Sequence, residues 1–181
     1  MIDISLIMLG AGSSTRFGLA TKKQWLRTKD DPLWLKATKN ISSNYNFKEI
    51  IVVSNECEYM SRFASNIKFI QGGATRQESL KNALNHINSD YVMVSDIARI
   101  DIPDTLIKRL INDANLADCI VPALKVSDTV AYASEYINRD ELKRIQTPQL
   151  SKTNILKEAL DSDTIYTDDS SAIAAIGGKV W

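Results

Sequence analysis

The stretch that decides the fold is Ile4-Ser5-Leu6-Ile7-Met8-Leu9, followed by Gly10-Ala11-Gly12-Ser13-Ser14-Thr15-Arg16. Its first six residues have the length and apolar character of a buried strand. The small residues then predict a turn in which backbone N–H groups approach an anion closely, because no large side chain blocks them. Arg16, Lys22 and Lys23 supply the positive charge that a triphosphate needs. The pattern predicts a phosphate-binding start to an α/β nucleotide-binding domain.

The glycine turn does not match two well-known phosphate-binding motifs. A Walker loop needs Gly-x-x-x-x-Gly-Lys-Ser/Thr, and the spacing here does not fit. The dinucleotide fingerprint needs a third glycine where Thr15 stands, and an acidic residue at the end of the next strand. Asp30 and Asp31 instead precede Pro32 in a polar turn. A mononucleotide triphosphate is therefore the expected ligand.

The composition is that of a soluble domain and excludes several classes of function. The chain has 181 residues and no net charge, so no bulk field attracts it to nucleic acid or to an anionic membrane. No apolar stretch is long enough to cross a bilayer, and the N-terminus lacks the basic region of a signal peptide. One histidine and two separated cysteines argue against a zinc site and a disulfide framework. We expect a cytoplasmic protein with no nucleic-acid or membrane partner.

Short apolar strands alternate with helical patterns along the chain, which predicts an α/β fold with a mostly parallel sheet flanked by helices on both faces. The predicted strands are 4–9, 50–53, 68–70, 91–94 and 119–121. The predicted helices are one opened by a capping box at Thr75, one capped by Asp104, and those at 152–160 and 171–176. Residues 125–146 have the looser pattern of an arm, and the strand-like residues 179–181 suggest that the last strand of a single domain, 1–181, is missing.

Candidate ligand-binding residues follow the predicted strands. Ligands of open α/β sheets bind beyond the carboxyl ends of the strands. Three groups stand at such ends: residues 10–16, then Gly73 with Arg76 and Ser79, then Asp96 with Arg99. Taken singly, each glycine could serve only a turn and each cation only the solvated surface. Their occurrence together at strand ends favours one binding site.

Asp96 has two interpretations. An acid that follows a buried strand is often only a turn or cap residue. It is also a common ligand for a Mg²⁺–triphosphate complex, and we favour this second interpretation. Other notable side chains are interpreted as structural: His86 as a solvated residue, Cys57 as a loop thiol and Cys119 as core.

Several separated motifs together resemble one enzyme family. They are Gly10-Ala11-Gly12-Ser13-Ser14-Thr15-Arg16-Phe17 with Lys23-Gln24, Gly72-Gly73-x-x-Arg76-x-x-Ser79, Ser95-Asp96-x-Ala98-Arg99, Asp128-Thr129, Thr147-Pro148-Gln149 and Thr167-Asp168-Asp169. In this order they resemble the 2-C-methyl-D-erythritol 4-phosphate cytidylyltransferase (IspD) family, over essentially the whole chain. The glycine turn alone belongs to many nucleotidyltransferases, whereas the complete set is specific.

The resemblance implies a Rossmann-like nucleotidyltransferase fold with a projecting arm that builds a homodimer. It implies CTP and methylerythritol phosphate as substrates, Mg²⁺ as the cofactor, and a role in non-mevalonate isoprenoid synthesis. The implied catalytic residues are Arg16 and Lys23. The implied nucleotide-binding residues are Gly10, Ala11, Gly12, Ser14, Gly73, Arg76, Ser79, Asp96 and Arg99, with Asp96 near the metal. The implied substrate-binding residues are Thr129, Arg139 and Thr147, with the arm residues acting across the dimer.

The chain departs from the family pattern in ways that affect the site. Ser95 stands where the family usually has histidine before the aspartate. The family also has a catalytic lysine on a later strand, and the sequence ends at Trp181 before reaching it. In some bacteria the enzyme is the N-terminal half of a fusion with a cyclodiphosphate synthase, so we expect a domain of such a bifunctional protein.

The implied reaction is transfer of CMP from CTP to the sugar phosphate, with release of pyrophosphate. Two other functions stay open on the sequence alone. One is a cytidylyltransferase for another polyol phosphate, such as ribitol 5-phosphate, which would have the same nucleotide motifs. The other is a nucleotide-binding module without catalytic activity.

Overall fold

The computed structural model describes residues 2–12 and 21–181, which form strands and helices in alternation. In chain order the strands are β1 (Ile4–Leu9), β2 (Arg27–Thr28), β3 (Asp31–Pro32), β4 (Ile50–Ser54), β5 (Lys68–Gln71), β6 (Tyr91–Asp96), β7 (Cys119–Ile120), β8 (Ala123–Lys125), β9 (Val130–Tyr132), β10 (Glu135–Ile137), β11 (Lys143–Ile145) and β12 (Gln149–Lys152). The α-helices are α1 (Leu33–Ser42), α2 (Cys57–Ser61), α3 (Arg76–Leu84), α4 (Asp104–Asn112), α5 (Thr153–Leu160) and α6 (Asp169–Ala175).

A six-stranded sheet with the order β5-β4-β1-β6-β12-β7 forms the centre of the structure. The first four strands in that order run parallel, whereas β12 runs antiparallel to both of its neighbours. Leu9, the last residue of β1, lies opposite Asp96, the last residue of β6. This register places the glycine turn and Asp96 side by side at one edge of the sheet.

The sheet is buried on both faces. Because successive side chains of a strand point in opposite directions, neighbouring residues of one strand belong to different cores. Leu6 and Met8 of β1 belong to one apolar core, which also contains residues of α1 and α4. Ile7 and Leu9 belong to a second core, which contains residues of α3, α5 and α6. The predicted α/β class, with a mostly parallel sheet and helices on both faces, is confirmed.

Some elements differ from those predicted by the sequence pattern. Asp104 does not cap α4: it is the first helical residue, and Pro103 occupies the cap position without a side-chain hydrogen bond. Helices α1 and α2 were not predicted, although Trp34, Leu35 and Ile41 of α1 are buried at helical spacing. Strand β12 also escaped prediction, because its buried residues include the polar Gln149 and Ser151, which give no apolar signal.

The arm consists of two antiparallel pairs of short strands between residues 123 and 145. Strand β8 pairs with β11, and β9 pairs with β10. Nearly all side chains along these four strands are exposed, including Tyr132 at 77% and Tyr136 at 82%. The arm therefore adds little to the core of its own chain.

Candidate active site

A cavity of about 540 Å³ lies at the carboxyl ends of β1 and β6. We call it the glycine-turn cavity. Its lining includes Gly10, Ala11, Gly12, Lys23, Gln24, Asn55, Gly73, Thr75, Arg76, Ser79 and Asp96. The structure thus brings together residues from three separate strand ends, as the sequence analysis expected for a single binding site. Ser14 and Arg16, which were also predicted to belong to it, lie outside the described residues.

The two glycines at positions 10 and 12 have different surroundings. A Cβ atom on Gly10 would lie 2.4 Å from Cδ1 of Ile97 and 3.1 Å from the carbonyl oxygen of Val53. The Gly10 N–H donates to that same carbonyl at 2.8 Å, so the backbone here packs directly against β4. Among the described residues, no atom would lie within 4 Å of a Cβ on Gly12. Close packing therefore requires glycine at position 10, whereas the described residues do not confine position 12.

Lys23 lines the cavity and belongs to a short 3₁₀-helix, Lys23–Trp25. The other two residues of this helix are hydrogen-bonded to Glu56. The Glu56 carboxylate accepts from Gln24 Nε2 at 3.2 Å and from Trp25 Nε1 at 3.0 Å. Lys22 Nζ lies 3.2 Å from the same oxygen, Oε2. Burial tends to raise the pKa of Glu56, but these three donors outweigh it and lower the pKa overall. Glu56 therefore anchors the segment that carries Lys23.

The loop after β5 is shaped by the start of α3. Thr75 caps this helix, because its side chain accepts from the Glu78 N–H. Ser79 Oγ accepts from the Gly73 N–H at 3.0 Å and donates to the Thr75 carbonyl at 2.9 Å. Glu78 accepts from the Ala74 N–H rather than from Thr75, so the predicted capping box is only half formed. These bonds hold Gly73 and Ser79 at the cavity wall.

Asp96 connects the glycine-turn cavity with a second one. Its Oδ2 accepts from Thr147 Oγ1 at 3.4 Å and lies 4.0 Å from Arg99 Nε. Arg99 Nη1 also donates to Gln146 Oε1 at 2.8 Å. Ser95, immediately before Asp96, is buried, and its hydroxyl has no hydrogen-bond partner within the described part of the chain. Asp96 thus joins the end of β6 to the segment that leads into β12.

The second cavity has a volume of about 480 Å³, and we call it the Thr147 cavity. It is lined by Arg76, Asp96, Arg99, Ile145, Gln146, Thr147, Gln149, Thr167, Asp168, Ser170 and Ser171. Arg76 and Asp96 therefore border both cavities. Arg99 lines the Thr147 cavity but not the glycine-turn cavity. Its predicted role in nucleotide binding would have placed it in the glycine-turn cavity.

Arg76 forms an ion pair with the buried Asp169. Arg76 Nη1 lies 2.9 Å from Asp169 Oδ1, and the Asp169 side chain is only 1% exposed. Burial tends to lower the pKa of Arg76, but the negative charge and hydrogen bond of Asp169 raise it overall. Burial is also the main cause of the raised pKa of Asp169. The pair joins the first turn of α3 to the first turn of α6.

Asp168 caps α6 and ties that helix to β12. Its carboxylate accepts from the Ser171 N–H at 3.1 Å and from Gln149 Nε2 at 2.7 Å. In return, Gln149 Oε1 accepts from the Ser170 N–H at 3.0 Å. Gln149 is 1% exposed, so its amide is fully committed to these bonds. Because Thr147 lies two residues before Gln149, this network fixes the wall of the Thr147 cavity.

The predicted substrate-binding residues do not all lie together in one chain. Thr147 lines the cavity named after it, whereas Thr129 and Arg139 lie on the arm and line neither cavity. Arg139 is exposed, and its Nη1 donates to the Ser127 carbonyl at 2.5 Å. Their predicted contribution to substrate binding is therefore not seen within the single chain.

A somewhat larger cavity, of about 590 Å³, lies at the opposite end of β6. It is lined by residues 87–91 and by Lys152, Thr153, Asn154 and Lys157. Both of its lysines are engaged: Lys152 Nζ pairs with Asp118 at 3.0 Å, and Lys157 Nζ donates to the Ile87 carbonyl at 2.9 Å. This cavity is far from the glycine turn, and its cations are already neutralised or bonded, so it is a weaker candidate despite its size.

Residues 2–12 and 21–181 contain neither a membrane-spanning helix nor a cluster of metal ligands. Among these residues no helix has the length and apolar character needed to span a bilayer. Nor do three or more His, Cys, Asp or Glu side chains cluster there as a metal site would require. A single carboxylate still fits a Mg²⁺ ion that is bound mainly through substrate phosphates, and Asp96 offers one between the two cavities.

Sequence reasoning overlooked several residues that build the site. Glu56 gave no signal, because it contacts Trp25 and Gln24 only through the fold. Gln146 was likewise unremarkable in sequence, although it accepts from Arg99. Gln149, Asp168 and Asp169 did belong to recognised motifs, but the sequence assigned them no role.

Comparison with known proteins identifies the family. A family model described as 2-C-methyl-D-erythritol 4-phosphate cytidylyltransferase, IspD, matches residues 4–181. The chain belongs to the IspD family. It is 74% identical over all 181 residues to the bifunctional enzyme IspD/IspF of Campylobacter fetus, of which it covers 49%. The chain thus spans about half the length of the curated relatives that it matches.

Solved structures of the IspD family confirm the fold. The bifunctional IspDF from Campylobacter jejuni matches with a TM-score of 0.96 and 56% identity, covering 99% of this chain and 48% of that one. The 2-C-methyl-D-erythritol 4-phosphate cytidylyltransferase from Thermus thermophilus matches with a TM-score of 0.75 and 26% identity, covering 99% of this chain and 87% of that one. The family resemblance drawn from the sequence motifs is therefore correct.

Proposed function

We propose that this IspD-family chain transfers CMP from CTP to 2-C-methyl-D-erythritol 4-phosphate, giving 4-diphosphocytidyl-2-C-methyl-D-erythritol and pyrophosphate. The observation that carries the proposal is the pair of adjoining cavities that share Arg76 and Asp96. CTP would occupy the glycine-turn cavity, and the sugar phosphate would occupy the Thr147 cavity. The shared border is then the place where the two reacting phosphates meet.

In the proposed reaction, a phosphate oxygen of the sugar phosphate attacks the α-phosphorus of CTP. A new P–O bond forms while the bond to the β-phosphate breaks, and the bonding electrons leave with pyrophosphate. A phosphate monoester has a second pKa of about 6, so at neutral pH it is mostly a dianion and has no proton to lose. The two described linings contain no histidine, and the second carboxylate of the Thr147 cavity, Asp168, already accepts from Gln149 and Ser171.

The residues of the site would act by alignment and by neutralising charge. The N–H groups of the glycine turn and the side chain of Lys23 would hold the triphosphate. Arg76 would place positive charge near the border of the two cavities, and Thr147 would orient the acceptor. Asp96 is the residue that would hold Mg²⁺, which when bound supplies further positive charge to the phosphate oxygens.

Several partner properties belong to the same proposal. Residues 1–181 would act as one cytidylyltransferase domain of a cytoplasmic protein, with the arm at about 125–146 pairing with a second copy. The exposed arm residues Tyr132 and Tyr136 support this, since large apolar side chains are usually covered at an interface. Thr129 and Arg139 would then reach the Thr147 cavity of the other protomer.

The test is a pyrophosphate-release assay with CTP and Mg²⁺, comparing 2-C-methyl-D-erythritol 4-phosphate with ribitol 5-phosphate. Release that depends on the methylerythritol phosphate, and that stops when EDTA removes the metal, is the expected result. Preference for ribitol 5-phosphate would instead assign the chain to another polyol phosphate. CTP binding by calorimetry without any pyrophosphate release would identify a nucleotide-binding module.

A further inference from the structure

We propose that Asp169 is a positioning residue for Arg76, which it holds at the border of the glycine-turn and Thr147 cavities. The inference rests on the proposed function, because it assigns Arg76 to the binding of CTP. It also gives a role to the second acid of the motif Thr167-Asp168-Asp169, which the reaction itself does not use.

Asp169 can act only through another residue. Arg76 lines both cavities, whereas Asp169 lines neither of them. The Asp169 side chain is 1% exposed, and its Oδ1 lies 2.9 Å from Arg76 Nη1. The two residues are 93 positions apart in the chain. Asp169 therefore lies behind Arg76, on the side away from the ligand space.

The two acids of the motif have separate tasks. Asp168 is half-buried and caps α6 through the Ser171 N–H, with additional bonds from Gln149 and Ser170. Asp169 is not needed for that cap, since it is the first residue of the helix itself. Its carboxylate points to α3 instead of to its own helix. Helix capping alone thus explains only the first acid.

The buried pair also differs from an ion pair that is optimised for stability. Asp169 Oδ2 and Arg76 Nη2 are both buried, and neither has a hydrogen-bond partner within the described residues. Leaving a buried polar atom unpaired lowers the stability of the folded state. An ion pair that served only to join α3 and α6 would therefore contribute little net stability. The Arg76 side chain nevertheless keeps 30% of its surface exposed and lines both cavities, so the guanidinium held by Asp169 still borders the ligand space.

The experiment measures CTP affinity by calorimetry for the wild-type protein and for Asp169→Asn, Asp161→Asn and Arg76→Met. Asparagine keeps the shape of Asp169 but removes the charge that orients the guanidinium. We expect Asp169→Asn to raise the Kd for CTP about tenfold, which corresponds to one charge-assisted hydrogen bond. Asp161→Asn, which changes an exposed acid of the preceding turn, is the matched control and should leave the Kd unchanged.

A positioning role is separated from a structural one by a double variant. If Asp169 acts through Arg76, adding Asp169→Asn to Arg76→Met should not raise the Kd further. An equal rise in both backgrounds would show a structural role and overturn the inference. Should Asp169→Asn be too unstable for calorimetry, Asp169→Glu keeps the charge and displaces the carboxylate by one methylene. CTP affinity is then expected to fall, and an unchanged affinity would overturn the inference.

The outcomes also separate this inference from the proposed function. If the wild-type protein binds CTP and the Kd of Asp169→Asn is unchanged, the positioning role is wrong while the proposed function stands. If the wild-type protein does not bind CTP, both are wrong.

Discussion

Arg76 and Asp96 carry opposite charges at the border of the two cavities, and each is held by different neighbours. Arg76 is paired with a buried carboxylate, whereas Asp96 contacts Thr147 and lies near Arg99. A cation beside a carboxylate that is proposed to hold Mg²⁺ suits the joining of two phosphorylated ligands, since the cation and the metal ion would both stabilise negative charge. At the scale of single residues, the chemistry proposed here is mainly electrostatic.

Replacing Lys23 with alanine should lower turnover by roughly a hundredfold or more, because the transition state would lose one cation. The domain should stay folded, since Lys23 lies at the cavity wall and not in the apolar core. Steady-state pyrophosphate release measures the effect, and circular dichroism checks the fold. Lys36→Ala, at an exposed position on α1, is the control. Near-normal turnover of Lys23→Ala would refute the catalytic role.

Replacing Arg139 with alanine should mainly raise the KM for the sugar phosphate, by about tenfold, because one charged hydrogen-bonding group is lost. The KM for CTP should change little, since Arg139 lies on the arm and not in the glycine-turn cavity. Arg144→Ala, another exposed arginine on the arm, is the matched control. An effect confined to the KM for CTP would reverse the proposed role.

Single carboxylates help to hold two short elements in place. The segment Lys23–Trp25 is anchored by Glu56, which precedes α2, and α6 is capped by Asp168. Glu56 accepts from Gln24 and Trp25 of one segment, whereas Asp168 accepts from Ser171 of its own helix and from Gln149 of β12. Each acid adds a polar connection to an element that also packs against the apolar core.

Removing the Glu56 carboxylate should release the segment that presents Lys23. Glu56→Ala would leave the Trp25 and Gln24 donors without their acceptor, at a cost of about 1–3 kcal/mol. We expect a lower midpoint in urea unfolding and a lower kcat. Glu58→Ala, on α2 and 94% exposed, should change neither quantity. A normal kcat for Glu56→Ala would show that Lys23 is positioned without Glu56.

The stability of α6 should depend on pH through Asp168. Burial tends to raise the pKa of Asp168, but hydrogen bonds from Gln149, Ser171 and Ser170 outweigh it and lower the pKa overall. The Asp168 carboxylate therefore binds a proton less readily in the folded state than in the unfolded state. The resulting stabilisation is present above the unfolded pKa of about 4 and is lost as the pH falls through the lower folded value.

The pH dependence can be measured by urea unfolding of the wild-type protein and of Asp168→Asn between neutral pH and about pH 3. Asparagine can still cap a helix but cannot titrate. The free energy of unfolding of the wild-type protein should fall more steeply with acidification than that of the variant. Parallel curves for the two proteins would contradict the contribution of Asp168.

At the scale of the whole molecule, the arm has features that contacts within one chain do not account for. Strands β8 to β11 expose Leu124, Tyr132, Tyr136 and Ile145, each by more than 40%. The arm also carries Thr129 and Arg139, which do not line the cavity that they are predicted to complete. A second copy of the chain would account for both observations at once.

Placing a charge on the arm should therefore weaken the proposed dimer. Tyr136→Glu puts a carboxylate where the proposed interface would bury an apolar ring, and should shift the protein toward monomers in light scattering coupled to gel filtration. Ile165→Glu, at an apolar position that is 69% exposed outside the arm, is the control. Dimers of unchanged stability in Tyr136→Glu would place the interface elsewhere, and a monomeric wild-type protein would exclude the dimer.

Much of this molecule was readable from the sequence because the signals are local. An apolar run followed by small residues predicts a buried strand and an open turn wherever it occurs, and β1 with Gly10 and Gly12 has that form. The side-chain cap of Thr75 on α3 depends on residues only three positions apart. The family could also be identified from the order of its motifs, without any knowledge of how they pack.

Only the tertiary structure decided which of these local features meet. The Arg76–Asp169 pair spans 93 positions, and the Thr147–Asp96 contact spans 51. Both depend on β12 entering the sheet antiparallel beside β6, and the polar residues of β12 gave no sign of that in sequence. Local periodicity records which face of an element is buried but not which element covers it. The sequence alone thus determined the family and most of the central elements, whereas the packing of the sheet and helices determined the shared border of the two cavities.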